Sequence, residues 1–443
     1  MIDELVAAGL PALTVLGVGA VIGTWSASWF GFWGNPVTAF LGSWVPMGIV
    51  LAMGWMTFHS LQPAFLFIVA SATAAFLFGA LAGARPRPAV PPAVRVDACR
   101  FLQVLRATAL VGLVGFLGFV AAVVWQVGWG GLLQRPHELR LAMNSEEFSD
   151  PTKLLHYATM LIPVLVVIGR EAGIRLGAHW SWVAGLALVS NLVSTGRTRI
   201  IWTAMWCGFC LLLARERQAP RLVWKVAMAG LVFALAAFWL IGAWLGKGFP
   251  VHEQGKWMPE MPEPLVGLAT VFFYLGVNLP YLQEAMALAD PAPPPLNHLL
   301  LPYYKTISFL LAGVPVPSEI LELHPLPYPA NTGTWLVQFA FDAGVAGVLV
   351  FPCLVGLLAG WLVTNPRWGD ADPFRLFFGG LLLVVIWLGF IGNKLLSTPT
   401  WLFVGFGSTV LPWVRGEPSP GQQQEEGAAP RSLPGTIAAA PPG

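Results

Sequence analysis

Apolar runs about as long as a bilayer is thick recur along this chain, and they limit its fold more than any motif does. A helix needs about 20 apolar residues to cross the hydrocarbon core, where every backbone polar group must be satisfied internally. Such runs lie at about Val6–Phe30, Val37–Phe58, Leu61–Ala82, Ala107–Val127, Leu154–Ile168 and Trp180–Ser194. They continue at Ile200–Ala214, Val226–Leu245, Trp335–Val363, Leu376–Ile391 and Trp401–Trp413. The start, Met-Ile-Asp-Glu, is acidic and lacks the cationic region of a cleavable signal, so the first run reads as a retained span.

Composition agrees with this reading. Of 443 residues, 56% are apolar and 10% charged, against about 25% charged in soluble domains, which excludes a water-soluble globule. The net charge is +2 with no long basic block, which excludes nucleic acid as a partner. The expected fold is an all-α polytopic membrane domain over residues 1–415, with about eleven spans (about ten to thirteen). A disordered tail over residues 416–443, rich in Pro, Gly, Gln and Ala, should follow. The stretch Leu265–Leu288 contains Asn278, Pro280, Gln283 and Glu284, and reads as interfacial, re-entrant or half of an extra pair with Leu299–Leu311.

Basic residues set the orientation. Arg85, Arg87, Arg95, Arg100 and Arg106 follow the third run, and Arg215, Arg217, Arg221 and Lys225 follow the seventh. Both groups fall on one side, which also receives most of the 24 Lys and Arg. That side should be cytoplasmic, with the N-terminus outside and the C-terminus inside. The outer loops are then residues 128–153 and, between the eighth and ninth spans, residues 246–334. This is the layout of a multi-pass membrane protein.

Ionisable groups within or beside a span are costly and therefore informative. Ser194-Thr195-Gly196-Arg197-Thr198-Arg199 sits between two apolar runs with almost no loop. Arg197 and Arg199 offer planar, permanently charged forks suited to phosphate oxygens; the plainer reading is two arginines snorkelling at a helix end. In the first outer loop, Arg135 and Arg140 suit a phosphate or an acidic sugar, or are solvated surface. Phe272-Phe273-Tyr274 through Gln283-Glu284 pairs aromatics with amides and a carboxylate, as sugar binding requires and as an interfacial aromatic belt also would. His324, Asn331 and Thr332 then lead into Trp335, Asp342, Gly344, Gly347 and Gly356. Asp342 falls about two turns into an apolar helix, roughly 12 Å below its start at 1.5 Å per residue. A bare carboxylate there needs a partner, with Arg197 or Arg199 favoured over Lys305 and Lys394.

Other chemistries find no support. The seven His are scattered without ligand spacing, and there is no phosphate loop or Gly-x-Ser-x-Gly elbow, so no metal or other cofactor is expected. Cys99 lies in a cytoplasmic connector, and Cys207, Cys210 and Cys353 lie within runs, which excludes an outer-face disulfide. The spacing Cys207-x-x-Cys210 matches a redox pair, but inside an apolar helix it reads as small-residue packing.

Asn331-Thr332-x-Thr334, followed by Phe341-Asp342-x-Gly344-x-x-Gly347 and Gly356, resembles the oligosaccharide repeat unit polymerases, the O-antigen polymerase (Wzy-type) family. Gly196-Arg197-Thr198 and the Phe273-Tyr274 to Leu282 stretch are similar to further elements of that family. Ala343 stands where the family commonly has Phe. The resemblance covers roughly residues 100 to 400. It implies a glycosyltransferase of the bacterial inner (cytoplasmic) membrane that joins undecaprenyl-pyrophosphate-linked oligosaccharides on the outer face and releases undecaprenyl pyrophosphate. It also implies a flippase and a chain-length regulator as partners. In that setting Arg197 and Arg199, then Arg135 and Arg140, hold the pyrophosphate, while His324 is the candidate base for the attacking hydroxyl, with Glu319, Glu322 or Asp342 behind it, and Asp342 otherwise organises the site. Asn331, Thr332 and Tyr274 contact glycan. An O-antigen ligase shares this architecture and differs in acceptor. A lipid-linked oligosaccharide transporter would place its ionisable groups at midplane and show an internal repeat, which is not visible here.

Overall fold

The computed structural model describes residues 2–54, 60–86, 96–134, 152–191, 197–215, 272–273, 275–288, 334–392 and 394–415, with isolated positions between 225 and 236. Among them the chain is helical: α1 (Ile2–Phe30), α2 (Pro36–Ala52), α3 (Pro63–Gly83), α4 (Ala98–Gln134), α5 (Thr152–His156) and α6 (Ala158–Glu171). There follow α7 (His179–Ser190), α8 (Arg197–Arg215), α9 (Asn278–Leu288), α10 (Leu336–Thr364), α11 (Gly380–Trp387) and α12 (Thr398–Val414). A π turn, Arg375–Gly379, leads into α11, and 3-10 turns Leu388–Ile391 and Lys394–Leu396 follow it.

Among the described residues five segments are long and apolar enough to cross a membrane: Leu10–Phe30, Pro63–Gly83, Ala98–Gln126, Leu154–Glu171 and Leu336–Thr364. Helix lies under every apolar run except Val226–Leu245, which falls mostly outside the described residues. Starts are set locally. Asn35 caps α2 by accepting from the N–H groups of Val37 and Thr38, and Pro36 and Pro63 occupy first-turn positions whose N–H would be unpaired anyway. The sixth run is short, since α7 covers His179–Ser190 only, about 18 Å of rise, and it runs back along α6 from Ser181 beside Arg170 to Asn191 beside Thr159. Leu13, Val21 and Trp29 on α1, Phe67 and Phe78 on α3, and Leu110, Leu113 and Leu117 on α4 are exposed. In water such a surface would drive association; against acyl chains it is neutral.

Helices in lipid associate by close packing rather than by hiding apolar surface, and α3 and α10 show how. They run parallel, and a Cβ on Gly79 or Gly83 would collide with the carbonyls of Cys353 or Leu357. A Cβ on Gly356 or Gly360 would meet those of Phe76 or Ala80. Two Gly-x-x-x-Gly pairs thus set backbone on backbone. Arg85 N–H donates to Thr364 Oγ1 (2.8 Å) where the two helices end together.

The ends of alternate runs meet at one pole. The Arg375 guanidinium lies over Phe32 (5.9 Å) and pairs with Asp370 (2.9 Å). Glu171 accepts from Arg215 (2.7 Å), Arg415 pairs with Asp372, and Val96 bridges Arg415. Burial pushes the Asp372 carboxyl above the usual carboxylate range, against the opposing pull of Arg415. At the other pole Gln62 N–H donates to Gln283 Oε1 (2.8 Å), tying the start of α3 to α9.

One element departs from expectation. Trp335–Val363 reads as one continuous span, but α10 loses helical geometry at Ala343 (φ −150°, ψ 20°) and Gly344 (φ 57°, ψ −143°). The Phe339 and Phe351 rings stack at 4.7 Å, although a continuous helix would hold those positions about 18 Å apart. A Cβ on Gly347 would collide with Phe339 O. Trp335 packs edge-on against Phe76 (5.9 Å), the residue whose carbonyl abuts Gly356. Residue 335 is therefore level with 356, and 339 with 351, so α10 is a hairpin. Its short arm, residues 336–342, runs back along a long arm, residues 345–364, and the long arm alone rises about 30 Å.

Candidate functional site

The best-defined polar cluster lies at the pole opposite the Arg375 and Arg415 pairs, and its construction begins with α4. Gly112, Gly115 and Gly118 recur every third residue on that helix, forming a stripe without side chains. A Cβ at Gly115 would collide with the His156 backbone nitrogen, and one at Gly118 would lie 2.5 Å from Thr152 Cγ2. The α5–α6 junction settles into this groove. There Thr159 Oγ1 donates to His156 O (2.7 Å) and accepts from Asn191 Nδ2 (3.1 Å), so α7 helps to hold the junction.

His156 is completely buried. Its ring stacks on Phe119 (centroids 5.1 Å, 27°) and tilts against Phe116 (5.8 Å). Arg199, on the first turns of α8, points its Nη1 at His156 Nδ1 (3.4 Å), and its guanidinium carbon lies 4.2 Å from the centre of the Tyr157 ring. Thr203 Oγ1 donates to Arg199 O one turn below (2.8 Å). Arg199 is half-buried. A cation fixed on its edge and on its face, at a helix N-terminus whose dipole adds positive potential, is suited to an anion.

Asp342 is buried (4% exposed) and ends the short arm of α10. The register that sets Gly356 beside Phe76 sets residues 345–347 beside 65–67, so the turn lies within about one helical turn of the start of α3. This corrects the expected depth of Asp342. The helix does not descend from residue 335 to 342; Trp335 is the deeper end, and its N–H donates to Gly389 O (2.7 Å). Gly344 adopts a backbone that L-residues disfavour, and Gly347 gives Phe339 O room. The Asp-x-Gly-x-x-Gly spacing is thus the recipe for this turn.

Of the expected pairing of Asp342 with Arg197 or Arg199, the Arg199 half does not form, and the Arg197 side chain lies outside the described residues. Among the ion pairs between described residues a pair of Asp342 with Arg199 does not occur; Arg199 turns to His156 and Tyr157. Helix α9 packs against α10, bringing buried Asn278 and Gln283 to the same pole. Lys394, half-buried in its 3-10 turn, has its ammonium pKa pulled below the ordinary value by burial.

Arg197 begins α8, with its side chain outside the described residues. Arg135, Arg140, Tyr274, His324, Asn331 and Thr332 also lie outside them. His156 and Tyr157 were not expected from sequence; the glycine stripe on α4 was the available signal. Among the described residues no group of His, Cys, Asp and Glu could hold a metal ion. Comparison with protein-family models, curated proteins and solved structures finds no match.

Proposed function

We propose that the chain is a membrane glycosyltransferase of about eleven spans that polymerises oligosaccharide repeat units carried on undecaprenyl pyrophosphate. The pole of Arg375 and Arg415 faces the cytoplasm, and the pole of Arg199 faces outward. The observation that carries this reading is Arg199: a half-buried cation at a helix start, held by His156 and Tyr157. Pyrophosphate is a good leaving group that needs charge stabilisation more than acid catalysis, and a preorganised guanidinium supplies it. The acceptor sugar hydroxyl attacks the anomeric carbon of the growing chain. The bond from that carbon to the pyrophosphate oxygen breaks, and the electron pair leaves with undecaprenyl pyrophosphate. The hydroxyl proton passes to a base, for which His324 is the candidate, or to the departing phosphate. Arg197, Arg135 and Arg140 extend the anion site. Asn331, Thr332 and Tyr274 contact the glycan, and Asp342 organises the α10 turn beside it. A flippase supplies the substrate, and a chain-length regulator acts on the product.

The α10 hairpin favours a second reading, because broken helices ending in a carboxylate are used by ion-coupled carriers. Carrier sites sit near the bilayer midplane, whereas Arg199 lies in the first turn of its helix and the α10 turn lies near the start of α3. Deleting the gene in its host and resolving the surface glycan on gels separates these readings. Collapse to single lipid-linked repeats is expected. Polymer retained on its carrier would indicate a ligase, and repeats trapped in the inner leaflet a carrier; either overturns the polymerase.

A further inference from the structure

Arg199 and His156 constrain each other chemically. An arginine side chain only donates hydrogen bonds, so a contact from Arg199 Nη1 to His156 Nδ1 (3.4 Å) is a hydrogen bond only when Nδ1 keeps its lone pair. The imidazole is then neutral, with its proton on Nε2. That Nε2 is buried and has no hydrogen-bond partner among the described residues, so the polar contact of the ring with them is the one it makes with Arg199. The ring cannot rotate away, because Phe119 and Phe116 pack on it and the α4 glycines bring its backbone against that helix. Tyr157, the next residue, takes the guanidinium face. Two consecutive residues at the α5–α6 junction therefore hold one cation, on edge and on face. Of the five N–H donors of an arginine, only one is engaged by the described residues.

We infer that His156 and Tyr157 are positioning residues: they fix the Arg199 guanidinium so that its remaining donors receive a diphosphate group. The identity of that ligand rests on the glycosyltransferase reading; the positioning does not. A histidine present only for packing would need its ring and not its Nδ1. The two cases separate by substitution, because Asn places an amide oxygen near the Nδ1 position whereas Phe keeps the ring and removes the acceptor.

The test uses the full chain in lipid nanodiscs, with undecaprenyl pyrophosphate, inorganic pyrophosphate and undecaprenol as probes. His156→Asn should bind undecaprenyl pyrophosphate within about threefold of the parent, and His156→Phe about tenfold more weakly. Tyr157→Phe should bind as the parent does, and Tyr157→Leu more weakly. Inorganic pyrophosphate binding with the same ranking would identify the diphosphate as the recognised group, whereas equal binding of undecaprenol would overturn a headgroup site. Parent-like binding by His156→Phe would overturn the positioning role. 15N-histidine spectra, assigned by the signal lost in His156→Asn, should show a neutral ring protonated at Nε2. An Nδ1–H tautomer overturns the positioning whatever the ligand. If the parent binds neither diphosphate, the ligand assignment and the glycosyltransferase reading fall, and the spectra alone decide the positioning.

Discussion

A guanidinium held on its edge by an imidazole nitrogen and on its face by a phenol ring has lost much of its rotamer freedom before any ligand arrives. On the proposed reading Arg199 would meet an anion without a further ordering cost, through its planar fork. Arg199→Lys keeps the charge but should lose at least about tenfold in polymerisation, and Arg199→Ala should lose nearly all of it, with membrane insertion unchanged for both. Assay of membranes normalised to protein content measures this; an active Arg199→Ala variant would remove the residue from the mechanism. Asp342→Asn should also impair polymerisation. Because Arg199 turns to His156 and not to Asp342, the losses from Arg199→Lys and Asp342→Asn should add within about 0.5 kcal/mol. Strong non-additivity would restore the ion pair. The charged residues were legible in the sequence because charge within apolar runs is expensive. His156 was not, since Leu-Leu-His-Tyr at the start of a run looks like an ordinary helix end. Its meaning depends on Phe119 and Gly115, which lie dozens of positions away.

Among the elements, α10 shows both the reach and the limit of periodicity. Its composition marks a long apolar helix, and its glycines mark close packing. The long arm fulfils both, through Gly356 and Gly360 against α3. The turn at 343–344 is not legible in the sequence because a hairpin of two helical arms has the same apolar pattern as one helix; the backbone at Ala343 and Gly344 distinguishes them. Gly344→Ala should destabilise the fold by about 1–3 kcal/mol through backbone strain, seen as a lower midpoint in thermal unfolding of the purified protein. An unchanged midpoint would mean that residues 343–344 are helical. Gly360→Val forces a branched side chain onto the Ala80 carbonyl, and overpacking of this kind costs about 1–3 kcal/mol or more. Folded yield should fall sharply for Gly360→Val and little for Gly17→Val, whose position has open space. Equal yields would contradict the α3–α10 interface.

For the whole molecule, the meeting of Phe32 with Arg375, Arg85 with Thr364, Glu171 with Arg215 and Asp372 with Arg415 gathers one set of run ends at a single pole. On the charge of the connectors we propose that this pole faces the cytoplasm. Cys99, exposed near it, should resist an impermeant thiol reagent in intact spheroplasts and react after permeabilisation, whereas a cysteine replacing Ser60 should react in both; the reverse pattern would invert the topology. Run positions and the alternation of poles were legible because bilayer thickness acts on sequence directly, while the folding of α10 depends on contacts between elements. The proposed glycosyltransferase activity is tested most directly by reconstitution. The purified chain in liposomes, supplied with a single species of undecaprenyl-pyrophosphate-linked repeat unit and nothing else, should yield a ladder of longer lipid-linked glycans and one free undecaprenyl pyrophosphate per linkage formed. The same liposomes carrying Arg199→Ala should yield none. A parent protein that is folded and inserted, yet leaves the repeat units single, would contradict the account.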